Sequence, residues 1–215
     1  MKWPGLVLML LLVGSGFTAD RPWDQKPWTE WDRDTLRTIR KHSQWIRDEV
    51  PRDLKWLALV TWRSAKIMKN ANERWGQLEE PVPGEEVVRG MSDQFFILGC
   101  QIVPLSLLSG PRPKVVEERD ALKFRAWLGE AIAQSGIKRA TLTLGSTSLA
   151  ASGYRMVDDK IFSCLIFFPR RDAGGEPTLP SGAAKARFVV QFPAGIRIDE
   201  VFDLKKMLYE GEVDL

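Results

Sequence analysis

The chain has 215 residues, 44% hydrophobic and 27% charged, with 31 Lys and Arg against 28 Asp and Glu. It is too apolar for a disordered chain, and a net charge of +3 is too small to announce nucleic-acid binding. Two cysteines are too few for a disulfide scaffold or a thiolate zinc site, and one histidine cannot build a His-rich metal centre, so no metal or cofactor is expected.

Residues 1–19 read MKWPGLVLMLLLVGSGFTA. Lys2 precedes an apolar run from Leu6 to Val13, followed by Gly14, Ser15, Gly16, Thr18 and Ala19. That is the order of a secretory signal, and the run falls well short of the roughly 20 apolar residues of a membrane helix. Phe17 is bulkier than a cleavage region prefers, while Ala19 suits the last signal position. The expectation is export to the periplasm or the extracellular space, with no membrane span after cleavage. Residues 20–215 then carry 30 basic and 28 acidic side chains.

The remainder reads as a single α+β domain in three parts. Residues 20–53 are Trp-rich, with Thr29 as an N-cap and Leu36, Ile39, Ile46 and Val50 on one helical face. Pro51 ends that helix, and a break near His42-Ser43 would give two shorter pieces. Residues 54–137 mix both element types. Leu54 to Trp62 predicts a strand, and Ser64 predicts the cap of a helix through Trp75. LEEPVPGEE predicts a surface loop, and Asp93 to Val103 a largely buried strand. A helix follows from Val115 to Gln134, stopped at Gly136, with Leu122, Trp127, Leu128, Ala131 and Ile132 as its apolar face. Residues 138–215 are β-rich. ATLTLGS is a short strand, and KIFSCLIFF is apolar on both faces and therefore central. ARFVVQF and IRIDEVFDL alternate in polarity around Pro193-Ala194-Gly195 and predict a hairpin, and EGEVDL offers a last short strand. The expected fold is a mainly antiparallel sheet covered by two or three helices.

Chemistry-bearing groups are sparse. His42 follows Arg40 and Lys41 at a helix end, where a solvated cation-tolerant residue is a sufficient explanation; as a catalytic base it would need partners from elsewhere. Gly145-Ser146-Thr147-Ser148 lacks the second glycine of a nucleophile elbow and reads as a Ser/Thr-rich surface loop. The acidic pairs Glu117-Glu118, Asp158-Asp159 and Asp199-Glu200 are sequence neighbours; on a strand, such neighbours point to opposite faces and make no catalytic dyad. Seven of nine tryptophans lie between residues 23 and 75. They either form an aromatic core or, for Trp23, Trp28 and Trp31, a ledge that stacks on a glycan. After export Cys100 and Cys164 meet an oxidising compartment, where paired strands would bring them within disulfide reach; buried free thiols are the alternative.

PWTEWDRDTLRTIRKHSQW, VTWRSA, IFFPR and FDLKKMLYEGEVDL together resemble a group of exported bacterial proteins. These carry a Trp-rich N-terminal helix, a Trp-x-Ser-Ala strand-to-helix junction and a closing Phe-x-Leu-Lys-x-Met-x-Tyr-x-Gly. The opening is loosely similar to GWxTD-domain proteins, although Gly-Trp-x-Thr-Asp itself is absent. The resemblance implies export and one α+β domain, and brings no catalytic residues. The leading expectation is a non-catalytic envelope or extracellular protein that binds another envelope protein or a glycan, without nucleic acid. The alternatives are a small secreted hydrolase that uses His42 and an accessory subunit that docks by strand addition.

Overall fold

The computed structural model describes residues 21–49, 56–104, 115–137, 139–157 and 161–215. The expected signal segment, Pro51 and Asp158-Asp159 lie outside the described residues. In chain order the elements are α1 (Arg33–His42), β1 (Ile46–Glu49), β2 (Trp56–Trp62), α2 (Lys66–Leu78), α3 (Glu85–Met91), β3 (Phe95–Pro104) and α4 (Val115–Ser135). They continue with β4 (Arg139–Leu144), β5 (Thr147–Ala150), β6 (Gly153–Met156), β7 (Phe162–Pro169), β8 (Lys185–Gln191) and β9 (Arg197–Asp203). A small hairpin of β10 (Leu208–Tyr209) and β11 (Glu212–Val213) follows.

The fold is α+β with antiparallel sheets, and the strands divide between two of them. One has the order β1-β2-β3-β7-β6, the other β5-β4-β8-β9. Alternation explains the arrangement. In β8 Ala186, Phe188 and Val190 are buried, and in β9 Ile198 and Phe202; the intervening side chains are exposed or half-buried. These inward rings meet the five-stranded sheet. Trp62 lies edge-on to Phe202 with centroids 5.3 Å apart, and Phe168 edge-on to Phe188 at 6.0 Å. Each such ring removes on the order of 150–250 Å² from water, so this aromatic layer is a principal source of the core's stability.

Strand β7, expected to be central, lies one place from the edge, between β3 and β6, and is buried from Phe162 to Phe168. Phe162, Cys164, Ile166 and Phe168 face the other sheet. Leu165 and Phe167 face the opposite way, onto Val87 and Val88 of α3. Helix α3 was not anticipated: LEEPVPGEE was expected to be loop throughout, yet Glu85 already begins a helix. Gly84 sits at φ +77°, the left-handed turn that redirects the chain into it.

Four local readings are corrected. Asp32, not Thr29, caps α1: its Oδ1 accepts from the Thr35 amide at 2.8 Å. The helix stops at His42, and Ile46 enters an edge strand instead of continuing the helical face. The Trp62 amide donates to the Trp45 carbonyl at 2.8 Å, which fixes that turn to the sheet. Ser64 is no helix cap either. Its Oγ accepts from the Ile97 amide, and α2 is capped by Asp214, whose carboxylate oxygens accept from Lys66 N at 2.6 Å and Ile67 N at 2.8 Å. On α4, Ala121, Leu128 and Ile132 are buried, whereas Leu122 and Trp127 are exposed.

Candidate binding trough

The outer face of the four-stranded sheet is open, and its register can be read row by row. Arg139, Gln191 and Arg197 lie opposite one another across β4, β8 and β9. The next row is Ala150, Thr141, Val189 and Asp199, and the next Ser148, Thr143, Arg187 and Val201. With strands about 4.8 Å apart, the Arg139 and Arg197 backbones stand roughly 10 Å from each other.

Asp199 organises two of the three arginines. Arg187 grips it with both prongs, Nε to Oδ1 and Nη2 to Oδ2, each at 2.7 Å, while Arg197 Nη2 also reaches Oδ2 at 2.7 Å. Hydrogen bonding to Arg187 holds the Asp199 carboxyl below the usual aspartate range, and the same bond raises the Arg187 guanidinium. Two cations are thus oriented around one anion, an excess of one positive charge. Among the described residues Arg139 has no ion-pair partner.

Two adjoining hollows occupy this face. One of about 270 Å³ is lined by Arg139, Thr141, Thr143, Ser148, Arg187 and Arg197, with Val189 and Gln191 beneath. The other, of about 660 Å³, turns around the sheet edge where β5 passes to β6 of the five-stranded sheet. Arg139, Thr141 and Ser148 line both, so the hollows form one trough. At the β5–β6 end it is lined by Ala140, Ala150, Ala151 and Gly153, with Ser152, Tyr154, Ile137 and Ile166. Tyr154 keeps 40% of its surface exposed. Among the described residues the lining contains three arginines, hydroxyls and apolar groups, with no carboxylate, histidine or cysteine.

The residues singled out from sequence fall elsewhere. Trp31 is fully buried, edge-on to Tyr209, with its Nε1 donating to the Lys26 carbonyl at 3.1 Å. Trp23 is 7% exposed and edge-on to Trp45. An indole without an exposed face offers nothing for a sugar to stack on, which leaves half-buried Trp28 as the accessible ring of the three. Trp23 and Trp28 do come together, lining a hollow of about 470 Å³ with Arg21, Lys26, Tyr209 and Glu210.

His42 is exposed in the last turn of α1, without a hydrogen bond or ion pair among the described residues. Asp199 and Glu200 point to opposite sides of β9. Gly145-Ser146 is the turn of the β4–β5 hairpin, with Gly145 at φ +58°, and Thr147 and Ser148 belong to the strand, not to a loop. Cys100 and Cys164 are directly opposite across β3 and β7, both fully buried and free, and their thiols hydrogen-bond. Among the described residues no three His, Cys, Asp or Glu side chains gather as a metal site, and no helix is long and apolar enough to cross a membrane.

The trough was missed because it needs non-local pairing. The polar positions of β8 and β9 were visible in their alternation, but nothing local told that Arg139, Thr141 and Thr143 lie beside them. Comparison with family models, with curated proteins and with solved structures gives no match to the chain.

Proposed function

We propose that this chain is an exported, non-catalytic binding protein that takes its ligand in the trough on the four-stranded sheet. The observation that carries the reading is the lining itself. Oriented arginines and hydroxyls supply directional recognition, small residues leave room for a ligand, and the described lining residues include no carboxylate, histidine, lysine or cysteine. The signal-like first 19 residues support export.

The test uses the purified mature chain on an array of envelope and extracellular oligosaccharides, beside Ala150→Leu. Ala150 is exposed and stands opposite Thr141 on the outward face, so a leucine there extends into the trough. Ligand capture by the parent chain, lost in Ala150→Leu at unchanged thermal stability, is the expected result. Capture that is indifferent to the substitution, or conversion of an arrayed sugar to shorter products, overturns the reading.

A further inference from the structure

Resting on that reading, we infer that the trough recognises an acidic oligosaccharide: a sugar ring sits at the β5–β6 end against Tyr154, and carboxylates along the chain meet Arg139 and the Arg187–Arg197 pair. Charge supports the class. The trough is lined by three arginines and no carboxylate; the single nearby anion, Asp199, is shared by two of them, so the face is left with two net positive charges. A guanidinium fork matches a carboxylate in two parallel hydrogen bonds, and Arg139 is free to offer it.

The geometry supports a sugar over other anions. Thr141, Thr143, Ser148 and Ser152 place hydroxyls along the walls, suited to a polyhydroxylated chain. Ala140, Ala150, Ala151 and Gly153 give the lining an apolar stretch that suits the C–H face of a ring. Among the described residues Tyr154 is the one aromatic side chain at the trough. A single-stranded nucleic acid instead draws its affinity from stacking successive bases on several aromatic rings, which this surface does not present. The charged positions are also spread along the trough. Arg139 and Arg197 stand two strand spacings apart, and Arg187 lies four residues farther along β8 than the row that holds them, so a chain bearing several anionic groups fits better than a single small anion.

Titration calorimetry with oligogalacturonate, its fully methyl-esterified counterpart and an oligothymidylate tests the inference. The esterified oligomer keeps the ring and loses the charge. The acidic oligomer is expected to bind at least tenfold more tightly than the ester, to weaken on raising salt from 50 to 500 mM, and to lose about tenfold in Arg139→Gln. Ala150→Leu is expected to abolish binding of both oligomers. Equal binding of acid and ester, insensitive to Arg139→Gln and lost in Ala150→Leu, overturns the acidic class while the trough remains a binding site. Tighter binding of the oligothymidylate also overturns it. If neither oligomer's binding responds to Ala150→Leu, the trough reading itself falls.

Discussion

The two sheets carry the same kind of ion pair on their outward faces and treat it in opposite ways. On the five-stranded sheet Arg63 and Glu85 lie beneath α3, with side chains 10% and 8% exposed. Glu85 also accepts from Asn72 at 3.0 Å, and Arg63 donates to the Pro83 carbonyl. Gly99 of β3 is the seat for this arginine: a Cβ there would stand 3.0 Å from Arg63 Cγ. On the four-stranded sheet Arg187 and Asp199 face solvent, 56% and 26% exposed. The difference teaches what each face is for. A buried pair stitches helix to sheet, and an exposed pair leaves its cations in solvent, where the proposed ligand would meet them.

The largest expected effect breaks the covered pair. Arg63→Ala leaves the Glu85 carboxylate buried with Asn72 as its remaining side-chain partner, and should cost about 3–5 kcal/mol in urea unfolding. Replacing both with apolar residues, Arg63→Met with Glu85→Leu, should recover most of that loss. A single variant that costs under 1 kcal/mol would show that the pair is not what ties α3 down.

Inside the same sheet, the Cys100–Cys164 pair sharpens the contrast between a sealed layer and an open face. Burial, with Cys164 beside it, pushes the Cys100 thiol well above its ordinary range, so the folded protein resists alkylation. Exchange must therefore take place during folding. Refolding in a buffer containing a small-molecule disulfide should join the two sulfurs, each thiol losing its hydrogen as the oxidant is reduced to two thiols. The closed form should gain about 2–4 kcal/mol. Two alkylatable thiols in the unreduced, denatured product would overturn the bond.

How much of this was legible follows from the range of each interaction. The hairpin of β8 and β9 was readable because Phe188 and Val190, then Ile198 and Phe202, alternate locally around Pro193-Ala194-Gly195. So was the burial of β7 on both faces, although the middle strand of its sheet is β3 and β7 lies between β3 and the edge strand β6. Helix α3 has seven residues and two buried valines, too short a span for periodicity to emerge. The cap of α2 arrives from Asp214, 148 residues from the amide it accepts from, and no local pattern announces it. Ser64 had the right residue type at the right place, and its hydroxyl was taken by β3. The trough shares this difficulty: Arg139 and Arg197 acquire meaning only through strand pairing.

That long-range cap gives the next effect in size. Asp214→Ala removes both acceptors from the first turn of α2, at an expected cost of about 1–2 kcal/mol. Trp45 Nε1 donates to the backbone carbonyl of the same residue at 2.7 Å, a bond the substitution leaves in place. Asp214→Asn keeps one acceptor oxygen and should recover part of the loss. Equal stability of all three proteins in urea would show that the cap is dispensable.

The smallest effect separates the faces by the sign of a pH dependence. Burial holds Glu85 above the ordinary value of 4.5, so the folded protein takes up this proton before the unfolded chain does. Its contribution to stability therefore increases as pH falls from the raised value toward 4.5, and is lost as pH rises through that window. Asp199 has the opposite sign. Arg187 holds it below 3.8, so its contribution is complete above that value and is lost as pH falls through the depressed pKa. Relative to the parent chain, Glu85→Gln should flatten the stability profile above pH 4.5, and Asp199→Asn should flatten it below pH 3.8. At neutral pH Arg187→Ala should change stability by no more than about 1 kcal/mol, because the pair is solvated and Arg197 still holds Asp199. Unfolding curves of the three variants between pH 3 and 7 decide it. A common sign for Glu85 and Asp199 would mean that the two ion pairs share one environment, and that the second sheet is as closed as the first.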